Sequence, residues 1–200
     1  IRLDNRTKSH CPSAHIHIAT YPRCAEWREN VLDSLAAAKP ALILLGAWGS
    51  SYVLNDADPA AHWRKALTDT ISELPAQTRV AVLADTPSIG VAPTFCLGLY
   101  PDDAQRCALP RDRALNQAVR RAETELAAGS TFDYLDYSDY LCNDAVCPSI
   151  IGDTLVYRDG HHLTVNMSTA LAPIIGADVL SLLAPEGQPS TADTPQVREA

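Results

Sequence analysis

The chain has 200 residues, 46% hydrophobic and 20% charged, which suits one folded domain with a buried core and excludes a disordered polymer. A formal net charge of -8 without any basic run excludes a nucleic-acid partner, because phosphate contacts need clustered Lys and Arg. No apolar run approaches the roughly 18 residues of a membrane span, and no secretory signal opens the chain.

In chain order, residues 25–38 place Trp27, Val31, Leu35 and Ala38 at helical spacing. Residues 41–46 are a short apolar run of the buried parallel-strand type. A helix over 59–74 follows, with Trp63, Leu67, Ile71 and Leu74 on one face and Asp58-Pro59 as its start signal. Residues 79–84 are the next strand, and 85–109, with its Pro, Gly and Cys, a long loop. Leu115, Val119, Ala122 and Leu126 predict one helix over 111–128, and 131–135 a further strand. The last helix lies within 168–183. Pro173 is tolerated only in a first turn, which moves the expected start toward Ala172. Trp27 and Trp63, on helix faces, are expected in the core. Strand–helix alternation predicts an α/β domain over 1–184, a parallel sheet with helices on both faces. Residues 185–200 lack a hydrophobic pattern and read as a disordered tail.

The six cysteines fall as local pairs, Cys11 with Cys24, Cys96 with Cys107 and Cys142 with Cys147. Six cysteines allow fifteen connectivities, of which sequential pairing is the simplest. Zinc ligation and free buried thiols are the alternatives; only Cys142 to Cys147 comes near a zinc spacing. Disulfides would place the domain in an oxidising, extracytoplasmic compartment.

The segment Tyr157-Arg158-Asp159-Gly160-His161-His162-Leu163-Thr164 carries the chemistry. An Asp three residues before a His can fold its carboxylate onto Nδ1, leaving Nε2 to take a proton from a nucleophile. The same spacing also describes a surface turn with a solvated His pair, so spacing alone leaves both readings open. Trp48, at the end of the 41–46 strand, is placed to stack on a sugar ring.

With its surroundings this segment resembles the D-x-x-H block of the SGNH (GDSL-like) hydrolase superfamily. More narrowly, it resembles the SGNH domain fused behind bacterial acyltransferase family 3 membrane proteins. The likeness runs through the Cys11-Pro12 and Cys24 segments, Ala41 to Trp48, Ala84-Asp85-Thr86-Pro87, Cys96 to Cys107, Cys142 to Cys147, and Tyr157 to Thr164. It implies a three-layer, flavodoxin-like parallel sheet. It also implies acyl transfer to, or removal from, cell-surface glycan hydroxyls, without a metal or cofactor. His162 would be the general base and Asp159 its orienting partner, with His161 the alternative base. The partners implied are a glycan or acylated sugar and an acyl donor delivered by a membrane acyltransferase domain of the same polypeptide, which would tether the domain to the membrane.

Two departures accompany the resemblance. The family's serine block, with its first strand, is expected upstream of Thr7, so the chain, which opens at Ile1, is expected to be a piece of a longer protein. Ser9, Ser50 and Ser51 are the serines here that could replace the missing nucleophile. The oxyanion donors are incomplete as well: Gly46, Gly49 and Thr86 are candidates, and Asp85 stands where a donor is wanted. A non-catalytic glycan-binding or spacer domain with the same fold is the rival reading.

Overall fold

Runs of Leu, Ile and Val too short for a helix pair most readily as buried strands, and two such runs form the centre of this molecule. The computed structural model describes residues 1–129 and 132–184. The first elements are α1 (Arg23–Ala38), β1 (Leu42–Gly46), α2 (Ser50–Val53), α3 (Pro59–Ser72), β2 (Arg79–Leu83) and α4 (Pro93–Leu99). There follow β3 (Leu109–Pro110), α5 (Arg111–Ala114), α6 (Gln117–Ala128), β4 (Asp133–Leu135), β5 (Val146–Cys147), β6 (Ile150–Ile151), β7 (Thr154–Leu155) and α7 (Val165–Leu183). β1, β2 and β4 make a parallel sheet in the order β1-β2-β4. β3 pairs with β5, and β6 with β7, both antiparallel.

Strand alternation decides the layers. Ile43 and Leu45 of β1 stand opposite Val80 and Val82 of β2, and all four bury on one face with Leu32 of α1, Leu67 of α3 and Phe132. On the other face the register partners Leu44 and Ala81 part company: Ala81 is fully buried, whereas Leu44 is 40% exposed. Parallel sheets are ordinarily covered on both faces, so β1 is where the cover is thinnest. A second core joins Ala14 and Ile16 to Trp63 and Val119 between α3 and α6. A third, with Ile89, Leu141, Tyr157, Met167 and Leu171, lies under the C-terminal loops and α7.

The N-terminal segment is fastened by a buried cation. Arg28 of α1 donates to the carbonyls of Pro12 and Ile16, so its charge is solvated by backbone oxygens instead of water. The cysteines pair sequentially, Cys11–Cys24, Cys96–Cys107 and Cys142–Cys147, with Cα separations of 5.3, 5.7 and 4.0 Å.

Several expectations need correction. α1 buries Cys24, Arg28 and Leu32, leaving Trp27 half-buried at the edge of that face; Trp63 is in the core as expected. The helix expected over 111–128 is two helices. Leu115 turns extended, and the Asn116 side chain accepts from the Val119 amide to start α6. The loop over 85–109 contains α4, held to the turn at Ala104–Cys107 by the Cys96–Cys107 disulfide. The last helix begins at Val165, capped by Thr164, and carries Pro173 in its interior. At 19 residues, α7 is long and apolar enough to cross a membrane by length and composition. Its polar interruptions hide that in the sequence. Met167 and Leu171 sink into the core and the Tyr137 hydroxyl donates to Asp178, which tie the helix to the domain. Most of its remaining apolar surface is only partly covered. The strand expected from Thr131 begins at Asp133; Thr131 itself and the expected tail 185–200 lie outside the described residues.

Candidate active site

The Asp159–His162 turn is folded around its own carboxylate. Asp159 Oδ1 accepts the amides of His161 (3.0 Å) and His162 (2.8 Å), and Oδ2 lies 2.8 Å from His162 Nδ1. The three-residue spacing lets one side chain reach both amides and the ring. Partial burial pushes the Asp159 carboxyl up, but the amides of His162 and His161 and the His162 ring outweigh it and hold it well below the usual carboxylate range. Behind the turn, Tyr157 bridges Leu163, and the Thr164 hydroxyl donates to the Leu155 carbonyl while capping α7.

Two loops at the carboxyl ends of the sheet strands clamp the turn from the front. After β2, the amides of Ile89 (2.8 Å) and Gly90 (3.2 Å) donate to the Gly160 carbonyl, and the Thr86 hydroxyl donates to the His161 carbonyl at 2.8 Å. The approach is close enough to favour glycine: a Cβ on Gly160 would stand 3.1 Å from the Gly90 carbonyl carbon and oxygen, and the Gly90 backbone would have to give way by a few tenths of an ångström. After β1, Trp48 lies on the His161 ring, centroids 3.7 Å apart and planes 13° from parallel. His161 in turn leans on the His162 ring at 3.9 Å. Burial and then the neighbouring His162 lower the His161 pKa, against the pull of Asp159, which favours the neutral ring in the stack.

With Nδ1 held by the carboxylate, Nε2 is the His162 nitrogen left to accept a proton. The His162 side chain is 52% exposed. Ligand atoms of Asp159, His161 and His162 lie within 4.8 Å of one another, close enough for a metal. Both Asp159 oxygens are already engaged by the amides and ring, however, so the arrangement orients an imidazole more than it presents a ligand set.

Beside the turn lies a cavity of about 360 Å³ lined by Trp48, Ser50, Ser51, Asp85, Thr86 and Arg113, among others. Asp85 is pushed up to about 7 by burial and then by nearby Glu123, against the pull of Arg120. Glu123 is likewise raised to about 7 by burial, although the Trp63 indole donates to it at 3.0 Å. Arg120 spans the network, pairing with Asp136 and donating to the Asp85 carbonyl.

The structure brings Trp48, Thr86, Asp159, His161 and His162 together, sets Ser50 and Ser51 on the wall of the adjoining cavity, and gives the other sequence candidates no contact with His162. Thr86 spends its hydroxyl proton on His161. Gly46 ends β1, and Gly49 is buried against the Trp63 ring. Ser51 donates to the Trp48 carbonyl. Ser9 pairs with the His10 ring in a separate groove near Tyr21 and Tyr52. Among the described residues, no serine hydroxyl is hydrogen-bonded to His162. Sequence reasoning missed Arg113 and Arg120, whose place at the cavity depends on the break at Leu115 and left no local signal.

No curated protein sequence matches the chain significantly. A solved structure, the periplasmic domain of a lipopolysaccharide acetyltransferase from Salmonella ser. Paratyphi A, superposes with a TM-score of 0.66. The two share 17% identity over 86% of this chain and 69% of that one, which establishes a common fold. The family described as "SGNH domain (fused to AT3 domains)" matches residues 1–177. With a match over that length, and with its parallel sheet flanked by helices, the chain belongs to the SGNH domain family of the kind fused to AT3 domains.

Proposed function

We propose that this domain transfers an acyl group, acetyl by preference, to hydroxyls of cell-surface glycans through an acyl-enzyme. The observation carrying the reading is the 2.8 Å contact between Asp159 and His162 Nδ1 at the carboxyl edge of a parallel sheet, the edge where α/β sheets bind ligands. The family's fusion to AT3 domains and the periplasmic acetyltransferase neighbour support it. The domain works outside the cytoplasm, as its three disulfides favour. A membrane acyltransferase domain of the same polypeptide tethers it and supplies the acyl donor.

In this mechanism a serine hydroxyl attacks the acyl carbonyl while His162 Nε2 takes its proton. The tetrahedral adduct collapses, the donor leaves with that proton, and the serine ester remains. A sugar hydroxyl then gives its proton to Nε2 and attacks the ester; the new adduct collapses, the bond to the serine oxygen breaks, and Nε2 returns the proton to that oxygen, which frees the serine. Water in the sugar's place gives hydrolysis. Asp159 stays ionised throughout and stabilises the imidazolium.

The serine, in this reading, comes on a strand that seats against the free edge of β1, from the family's first block. β1 is an edge strand with Leu44 uncovered, and α7 presents apolar surface only partly covered. One strand and helix would cover both. The want of a serine bonded to His162 favours a second reading, a glycan-binding or spacer domain without chemistry. Hydrolysis of 4-nitrophenyl acetate by the 200-residue chain and by one extended upstream through that block separates the two. The extended chain is expected to be active, to lose activity with His162→Ala, and to exceed the shorter chain by several orders of magnitude. An inert extended chain, even with donor and sugar supplied, favours the binding domain. Activity in the shorter chain that Ser9→Ala, Ser50→Ala or Ser51→Ala abolishes puts the nucleophile among those residues.

A further inference from the structure

Three arginines stand between residues 111 and 120, and their fates differ. Arg111 donates to the carbonyls of Cys142 and Asn143 and pairs with Asp139, which fixes the Cys142–Cys147 loop. Arg120 is taken up by Asp136 and the Asp85 carbonyl. Arg113 is exposed, lines the cavity beside Trp48, and among the described residues has no ion pair or hydrogen bond. A net-negative protein thus keeps one uncommitted guanidinium at the rim of the cavity that adjoins the His161–His162 turn.

The rest of the lining suits a sugar. Trp48 is 39% exposed and held flat by His161, so its indole is a preset platform for a pyranose face. Ser50 and Asn116 add neutral polar groups to the wall. Asp85 is the acidic group in the lining, and its raised pKa leaves much of it uncharged near neutrality, so it does little to cancel Arg113.

We propose that this cavity is the acceptor subsite and selects a sugar bearing an anionic group, the ring on the exposed part of Trp48 and the anion forked by Arg113. The proposal rests on the acyl-transfer reading for the word "acceptor" only; the binding preference stands on the cavity itself. A carboxylate and a phosphate ester both match the guanidinium fork, so the test carries both.

The 200-residue chain, ¹⁵N-labelled, is titrated with methyl β-D-glucuronoside, methyl β-D-glucoside, glucose 6-phosphate and inorganic phosphate. The Trp48 indole N–H signal, assigned with Trp48→Phe, is followed. One or both anionic sugars are expected to shift it and to bind about tenfold or more tightly than the neutral glycoside. Which of them binds identifies the anion as carboxylate or phosphate. The preference weakens at high salt, disappears in Arg113→Gln and is partly kept in Arg113→Lys. Equal binding of the neutral glycoside, an unmoved Trp48 signal, or an undiminished preference in Arg113→Gln overturns the proposal, as does inorganic phosphate shifting Trp48 as tightly as glucose 6-phosphate. Selective binding beside an inert extended chain leaves the subsite and overturns the catalytic reading. An active extended chain without selective binding does the reverse.

Discussion

The Thr86 hydroxyl donates to the His161 carbonyl at 2.8 Å, across 75 residues of sequence. That bond ties the loop after β2 to the turn carrying the proposed base, and in the acyl-transfer reading it makes Thr86 a positioning residue. Thr86→Val, which keeps the shape and removes the donor, is expected to lower kcat of the extended chain about tenfold with KM little changed. Thr86→Ser should restore most of it. Loss of stability alone would show instead as a Tm drop of about 2–4 °C with kcat retained well below the transition.

Asp159→Asn leaves an oxygen for the backbone amides and removes the charge facing His162. We expect activity of the extended chain to fall by about 10²–10⁴-fold with little change in Tm. His162→Ala should cost at least as much, and the double variant no more than the larger single loss, because the two act as a unit. Losses that multiply would break the pair into independent groups.

The half-buried carboxyl of Asp85 and the buried one of Glu123 set an unusual dependence of stability on pH. Both are raised to about 7 in the folded chain, so between about 4 and about 7 the native state holds protons that the unfolded chain has released. Stability therefore falls as pH rises through that window and levels off above it, by up to about 1.4 kcal/mol per pH unit for each group. Asp159, with its pKa depressed, acts in the opposite sense: its contribution is present above the ordinary carboxylate range and lost in stronger acid. Its partial exposure keeps that contribution small. Urea denaturation at a series of pH values should show the decline, and Glu123→Gln, which still accepts from Trp63, should flatten it. A flat profile in the unaltered chain would mean these carboxyls are ionised and solvated.

Gly49→Ala tests the packing behind the site. The added Cβ would sit 2.9 Å from a Trp63 ring carbon, and Trp63 is only 2% exposed. Gly49 has an ordinary helical φ of -56°, so crowding is the whole effect. We expect about 1–3 kcal/mol of destabilisation with a shift in tryptophan emission. Gly160→Ala should instead move the Asp159–His162 turn and impair activity more than stability.

Much of this was readable in the chain because the signals were local. The apolar runs of β1 and β2, the Asp58-Pro59 start of α3, the cysteine pairs and the D-x-x-H spacing each lie within a few residues. What escaped depended on choices between equivalent patterns. Leu115, Val119, Ala122 and Leu126 keep helical spacing straight through the break at Leu115, so nothing in the period betrays the new cap at Asn116. Pro173 argued for a late start to α7, but the Thr164 cap outweighed one missing N–H. In α1, Arg28 looks like a surface residue until the carbonyls of Pro12 and Ile16 arrive to solvate it. The stacking of Trp48 on His161 joins residues far apart in the chain, which no local pattern encodes.

The cysteine partners stand 13, 11 and 5 residues apart, and no loop encloses or crosses another. For a thread entering an oxidising space one end first, the chance that two thiols meet falls steeply with the chain between them. Each sulfur therefore encounters its own partner before any competitor, and the earliest pair can close while the last is still to arrive. In the extracytoplasmic setting proposed for this domain, the native pairing is reached by local closures alone, with no crossed bond among the three.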